Sequence, residues 1–326
     1  MSSKSREGRR GVPVLFVAVV MTVAMLILVS AMALQVRSLE MSERYAIPLE
    51  SGIDAIDINV VASLGVVEVN FADLHDEAAV ITTRLSGSAS ILAGDARMSL
   101  NVTYENDARS GVINVTALMD VYAPWPYHSL DEVRCEVLID RGLAADIDIT
   151  VVTGGAAVRT VEGANVTGLR INATSLGSVI ALNNGTVLSG DVHVRTATGG
   201  NTLYWNNVTV DGDRRVTMEE STGELRAMIG QSDSMGGTVT LLGKNIGGTM
   251  SLGMELSGDV GASVVVTSRG DVKMNCSDGF RCQDGGMASI NNPAASSFDV
   301  RLESAVGGIE AWGRWSPQAV TSHPVL

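Results

Sequence analysis

Large rings are scarce in this chain: four Phe, four Trp and five Tyr make up 4% of 326 residues. Layered cores of this size usually lean on such rings, so the interior must be filled in another way. Basic residues are also in short supply, with 23 Lys and Arg against 36 Asp and Glu and a net charge of −13. A nucleic-acid binder needs a positive surface, so nucleic acid is excluded as a partner class. The four histidines (His75, His128, His193, His323) lie far apart, and none stands at metal-ligand spacing from another His or a Cys. Neither a nucleophile elbow nor a phosphate or calcium loop occurs. The expectation is no enzyme: no catalytic residue, no cofactor and no metal.

What is abundant is glycine, 35 residues of it, among many small and β-branched side chains. That mixture suits short strands joined by tight corners. The glycines also recur. Gly154, Gly177, Gly199, Gly223, Gly248 and Gly270 follow one another at steps of 23, 22, 24, 25 and 22, with Gly65 and Gly307 as outlying copies. Two and four residues after each comes a mostly apolar pair: Val67/Val69, Ala156/Val158, Val179/Ala181, Asn201/Leu203, Leu225/Ala227, Met250/Leu252, Val272/Met274 and Ile309/Ala311. Asn201 is the one polar residue among these sixteen positions. A second apolar set lies between the glycines, at Leu169/Ile171, Val192/Val194, Val216/Met218, Val239/Leu241, Val264/Val266 and Val300/Leu302.

Each repeat therefore carries two short alternating segments, and alternation sends one set of side chains inward and the other outward. One such unit cannot bury its apolar face, but stacked units can. The reading is an all-β fold, a β-solenoid with repeats of 22–25 residues. A β-sandwich with frequent hairpins also places a strand every 8–12 residues, but it requires no fixed period.

Along the chain, residues 1–11 read as a cytoplasmic tail and 12–34 as a transmembrane helix. Residues 35–51 read as a stalk, 52–316 as a β-solenoid ectodomain and 317–326 as a C-terminal tail. Within the ectodomain, 52–150 holds an antiparallel cap and the first turns, and 151–316 the regular repeats with an insertion at 275–296. Ala123-Pro124-Trp125-Pro126-Tyr127 forms a stiff loop, since each proline fixes φ. Trp312 and Trp315 are bulky enough to plug the far end of the column.

The helix rests on an uncharged run from Gly11 to Leu34 behind Lys4, Arg6, Arg9 and Arg10. Twenty-odd apolar residues cross a bilayer core, and the basic flank stays inside. The expected location is therefore a single-pass protein of the cell membrane, with its C-terminal domain outside the cytoplasm. Ala31-Met32-Ala33 also has the small-x-small form of a leader cleavage site, but the run is long for a leader.

Seven Asn-x-Ser/Thr sites (Asn101, Asn114, Asn165, Asn172, Asn184, Asn207 and Asn275) are candidate N-glycosylation acceptors. Cys276 and Cys282 lie six positions apart around a turn-forming Ser-Asp-Gly, and a local disulfide between them is expected. Cys135 then remains as a small buried hydrophobe. The rival pairing joins Cys135 to one of the other two.

Corner motifs repeat as SLG at 175–177, SGDV at 189–192, STGEL at 221–225, SRGDV at 268–272 and AVGGI at 305–309. From Val133 to Trp312 the chain resembles the family of prokaryotic envelope proteins known as putative adhesins. That resemblance implies a β-solenoid exposed at the cell surface, with no established catalytic residues or cofactors. This chain departs from the pattern by its cysteine-containing insertion and its density of glycosylation motifs. Arg269-Gly270-Asp271 matches a tripeptide of integrin ligands, but Gly270 belongs to the repeat, so the match is a by-product of the corner. The Gly-Asp corners at Asp191, Asp259 and Asp271 are likewise read as turns. The functional expectation is a membrane-anchored structural or adhesive module that binds an envelope or extracellular partner through its outer face. The alternative is an accessory or sensor ectodomain of a membrane signalling complex.

Overall fold

The computed structural model describes residues 18–27, 36–90, 95–107, 109–123, 128–291, 294 and 296–316. Strands take up 72% of the described residues, which hold one short helix, so the fold is all-β. That helix, α1, covers residues 18–27. Among the described residues no helix is long and apolar enough to cross a membrane. Ten residues rising about 1.5 Å each reach about 15 Å, half of a hydrocarbon core of about 30 Å. The expected transmembrane helix over 12–34, and with it the single-pass location, is thereby overturned. The expected tails at 1–11 and 317–326, and the loop residues 124–127, lie outside the described residues.

The strands in chain order are β1 (Val36–Pro48), β2 (Ala55–Ala62), β3 (Gly65–Ala72), β4 (Glu77–Ser90), β5 (Arg97–Asp107), β6 (Val112–Tyr122), β7 (His128–Asp140) and β8 (Ala144–Val151). There follow β9 (Gly154–Arg159), β10 (Asn165–Ala173), β11 (Gly177–Leu182), β12 (Val187–Leu188), β13 (Val192–Asn206), β14 (Thr209–Val210), β15 (Arg214–Gln231) and β16 (Thr238–Asn245). The last are β17 (Thr249–Ser257), β18 (Val260–Ser268), β19 (Val272–Ser277), β20 (Phe280–Gln283), β21 (Gly286–Ser289), β22 (Ser296–Ser304) and β23 (Ile309–Ser316).

They pair as two long stacks. The first runs β6, β2, β8, β10, β13, β15, β16, β22, β18, all parallel. The second runs β7, β3, β9, β11, β13, β15, β17, β23, β19, also all parallel. Each level thus gives one strand to each stack, with β13 and β15 long enough to turn the corner and serve both. A short parallel ladder of β12 with β10 and β14 adds a third side. Antiparallel strands close the N-terminal end: β5 on β6, β4 on β7 and β1 on β4. Residues 36–48, expected in a stalk, are therefore an edge strand of the sheet. Ile47 and Leu39 are buried, while Arg37, Glu43 and Arg44 are exposed, which is why the segment looked like a charged linker.

Spatial order departs from chain order at both ends. β2 and β3 sit between β6/β7 and β8/β9. β22 and β23 sit between β16/β17 and β18/β19. The closing copy is thus inside the stack, and Trp312 and Trp315 do not plug its end. The insertion at 275–296 is the hairpin β20–β21, which folds back antiparallel onto β18.

The inward positions form one continuous core. Ile171, Val194, Met218, Leu241 and Val266 are all buried in it. The register pairs Ile171 with Val194 and Val194 with Met218, whereas Leu241 meets Val216 and Gly243 meets Met218. In β11 the inward residues are Ile180 and Leu182 rather than the expected Val179 and Ala181, because Gly177 aligns with Gly155 and Gly200. A one-residue slip exchanges the two faces of a strand.

Candidate interaction surface

Outward positions on these stacks are ladders, because in-register parallel pairing places like positions above one another every ~4.8 Å. On the first stack, Asn172, Arg195, Glu219, Lys244 and Glu303 follow in register. From Arg195 onward the charge alternates, and Lys244 Nζ lies 3.8 Å from Glu219 Oε1. Nearer the N-terminal end the same face becomes acidic. A hollow of about 240 Å³ is lined by Asp57, Asn59, Asn114, Thr116, Asp146, Asp148 and Arg170 among others. Burial, and then the neighbouring Asp146 charge, raise the Asp57 carboxyl above its ordinary range. Arg170 pairs with the second of these carboxylates, with Nη1 3.8 Å from Asp146 Oδ1.

The corner that carries the chain from the first stack to the second has a different character. At five levels an apolar side chain projects from it: Leu64, Val152, Leu176, Ile246 and Val306, of which the last four are more than half exposed. Backbone hydrogen bonds hold these corners level on level, including Val152 N–H to Ala62 O at 2.9 Å, Leu176 N–H to Gly154 O at 2.9 Å and Ile246 N–H to Glu220 O at 3.1 Å. In the middle of the ridge Thr198 and Thr222 take the apolar places, and their hydroxyls donate to Thr174 O and Ala197 O.

At the N-terminal part of this ridge lies a groove of about 420 Å³. Its floor is Gly65 and Gly154, its walls are Leu64, Val66, Leu130, Val133 and Leu176, and its rim carries Glu68, Asp131, Glu132, Arg134 and Ser175. The glycines make the floor low because a side chain has no room there. A Cβ on Gly65 would come 2.5 Å from Val133 O, and one on Gly154 would come 1.7 Å from Gly65 O. Glu68 holds the rim by reaching Arg134 Nη2 at 3.7 Å and Arg159 Nη1 at 3.8 Å.

The residues singled out from sequence fall as follows. Asn101, Asn114, Asn172, Asn184 and Asn275 are exposed; Asn165 and Asn207 are half-buried. The Asn165 Oδ1 accepts from Ser189 Oγ–H, and the Asn207 Oδ1 accepts from both Ser232 N–H and Ser232 Oγ–H. Asn114 and Asn172 lie on the first stack and Asn101 on β5 at its end, and none of the seven lines the groove. Cys276 and Cys282 are joined by a disulfide that ties β19 to β20, and Cys135 is a buried free thiol. Burial pushes that thiol up to about 12. His193 points outward between buried Val192 and Val194. Asp191 serves its corner, with Oδ1 accepting from Arg215 N–H. Among the described residues no three His, Cys, Asp or Glu side chains are grouped to hold a metal ion. The ridge and groove escaped the sequence reading, although Leu64, Val152, Leu176, Ile246 and Val306 all fall within the two residues before a repeat glycine.

No protein-family model matches the chain, and no curated protein matches it. Among solved structures it is similar to a putative cell adhesion protein from Clostridium sporogenes, at 12% identity over 85% of this chain and 100% of that one, with a TM-score of 0.37. It is also similar to a putative adhesin from Bacteroides fragilis, at 9% identity over 84% and 97% of the two chains and a TM-score of 0.31. A putative adhesin from Parabacteroides merdae aligns at 10% identity over 83% and 95%, with a TM-score of 0.32.

Proposed function

We propose that this chain is a β-solenoid that acts as an adhesive or structural module at the cell surface, gripping an extended envelope or extracellular partner. The two in-register parallel stacks and the 22–25-residue period support the solenoid. The observation that carries the binding role is the exposed apolar ridge from Leu64 to Val306, deepened into the groove at Leu64, Leu130 and Leu176. Exposed apolar surface gathered on one edge of an otherwise acidic protein marks a contact site. A row of contacts spread over many levels fits a long partner better than a small molecule. Glycans at Asn101, Asn114 and Asn172 would cover the first stack and leave the ridge free. The Cys276–Cys282 bridge is suited to an oxidising compartment. A non-enzymatic role belongs to this reading.

The test is retention of the purified chain on fractionated envelope polymers and envelope proteins of its own cell. Wild type is expected to be retained by at least one fraction. Leu176→Asp should weaken retention about tenfold, a loss of about 1.4 kcal/mol, with an unchanged thermal melt. Retention that ignores Leu176→Asp would move the site off the ridge. Cleavage of a polymer by the chain would replace the adhesive reading with an enzymatic one.

A further inference from the structure

Asn201, the polar exception among the inward repeat positions, has polar company that the sequence pattern did not group with it. It is fully buried in β13, in register with Ser178 of β11. At the adjoining corner, the inward positions of three successive levels are Thr196, Glu220 and Asn245, also in register. All five side chains are buried, and Glu220 is only 3% exposed. In an apolar column this is a polar seam crossing four levels.

Its hydrogen bonds fix how the amides are turned. Asn201 Nδ2–H donates to Thr196 Oγ1 at 2.9 Å and to Glu219 O at 3.3 Å. Asn245 Nδ2–H donates to Gly223 O at 3.0 Å and Thr249 O at 3.3 Å. Asn201 N–H donates to Glu220 Oε2 at 3.2 Å. That leaves Glu220 Oε1, Asn201 Oδ1, Asn245 Oδ1 and Ser178 Oγ buried with no partner among the described residues. With Glu220 ionised, three of these four atoms can only accept, and orphaned buried acceptors are costly.

No cationic side chain among the described residues relieves them. Arg195 on β13 and Lys244 on β16 flank Glu220 but occupy outward positions beside Glu219, to which Lys244 pairs. β11 carries no titratable group, and Glu255 of β17 is paired with Arg314. On β15 itself Glu224 adds like charge, and Arg226 lies 3.6 Å from Glu224. Nor is there room for a metal ion on the near side: the Gly223 backbone lies so close that a Cβ there would be 2.0 Å from Glu220 Oε1.

We propose that Glu220 is a proton-holding switch in the middle of the stack: it keeps its proton into the neutral range and donates it to the in-register Asn245 Oδ1, and ionisation loosens this corner. The donated proton satisfies two orphaned oxygens at once and removes the buried charge. Burial pushes the carboxyl up from 4.5 to about 7, against the lowering effect of the Asn201 N–H and with a further push from Glu224. An acid whose folded pKa is raised stabilises the fold fully below its unfolded pKa. The contribution is lost as pH rises through the folded pKa. The window here therefore runs from 4.5 to about 7.

The test is carboxyl carbon NMR on the full chain, with Glu220 assigned through its own backbone amide. A titration midpoint of about 7 is expected. A midpoint in the ordinary glutamate range overturns the proposal, and so does a midpoint that falls when calcium is added, which would mean a bound cation. Thermal melts at about pH 5 and about pH 8 give a second readout. Wild type should lose more on going to the higher pH than Glu220→Gln, whose amide has no proton to lose there. Equal losses would refute the switch. Should the variant not fold, the wild-type titration alone decides.

Discussion

Gly223 lies directly against the carbonyl oxygen of Gly199, one level below it in the stack, where a Cβ on Gly223 would come within 1.6 Å of that oxygen. Its φ of +144° is one that side-chain-bearing residues rarely adopt. Strain and overlap act together, so Gly223→Ala is expected to cost about 3 kcal/mol or more. Gly212 has a positive φ of 73° but open space around it, so Gly212→Ala should cost only about 1 kcal/mol. Urea denaturation of the two variants makes the comparison. Similar costs would show that backbone conformation alone, and not the close approach of levels, requires these glycines.

The intercalation of β22 and β23 has a mechanical consequence. Stacked repeats ordinarily fray from their ends, since each contacts only its neighbours. Removing residues 296–316 here would strip partners from β16 and β17 on one side and from β18 and β19 on the other. We expect such a truncation to lose amide-exchange protection throughout 238–277, not only at its new terminus. Protection retained in β18 and β19 would mean that those levels re-pair directly with β16 and β17.

Met218 and Glu219 are neighbours on β15 facing opposite ways. Met218→Asp buries an unpaired charge in the core and should cost at least ~4 kcal/mol. Glu219→Ala gives up one partly exposed ion pair with Lys244 and should cost less than ~1 kcal/mol. Comparable denaturation midpoints for the two variants would contradict the inward–outward assignment of this strand.

Reduction of Cys276–Cys282 should release the β20 hairpin without melting the stacks. Closing a six-residue separation constrains the unfolded chain by only about 2 kcal/mol in the chain-entropy model. Cys135, whose thiol is buried and raised to about 12, should resist alkylation in the folded protein at neutral pH. Mass spectrometry of a non-reduced, alkylated digest reads both: a peptide linking Cys135 to either partner, or native-state labelling of Cys135, would be the contrary result.

Asn207 combines a positive φ of 46° with an Oδ1 that accepts from Ser232 N–H at 2.7 Å and from its hydroxyl at 2.9 Å. Asn207→Ala should therefore cost about 1–2 kcal/mol. Asn184→Ala, at an exposed corner of the same kind of sequence motif, should be neutral within about 0.5 kcal/mol. If calorimetry finds the two alike, the Asn207 contacts hold nothing in place.

The sequence alone determined the all-β class, the two apolar segments per repeat and the burial of Ile171, Val194, Met218, Leu241 and Val266. These are local consequences of alternation: a strand with apolar residues at every second position has one face to bury wherever it ends up. The repeat glycines were legible for the same reason, as recurring corners. What the sequence did not determine was which level sits on which. In-register parallel pairing asks only that a neighbour carry the same pattern, and every repeat does. The wedging of β2/β3 and β22/β23 one level inside the ends is therefore a choice made by packing and connection. So is the one-residue shift that turns Ile180 rather than Val179 inward. The apolar ridge and the seam from Thr196 to Asn245 belong to the same class. Their members lie 20-odd residues apart and carry no motif, and only the stacking of levels brings the corner of Leu176 onto the corner of Val152, or Asn245 over Glu220. At the N-terminal end the apolar run was legible as composition, but the ten helical residues described there, 18–27, are too few to span a membrane.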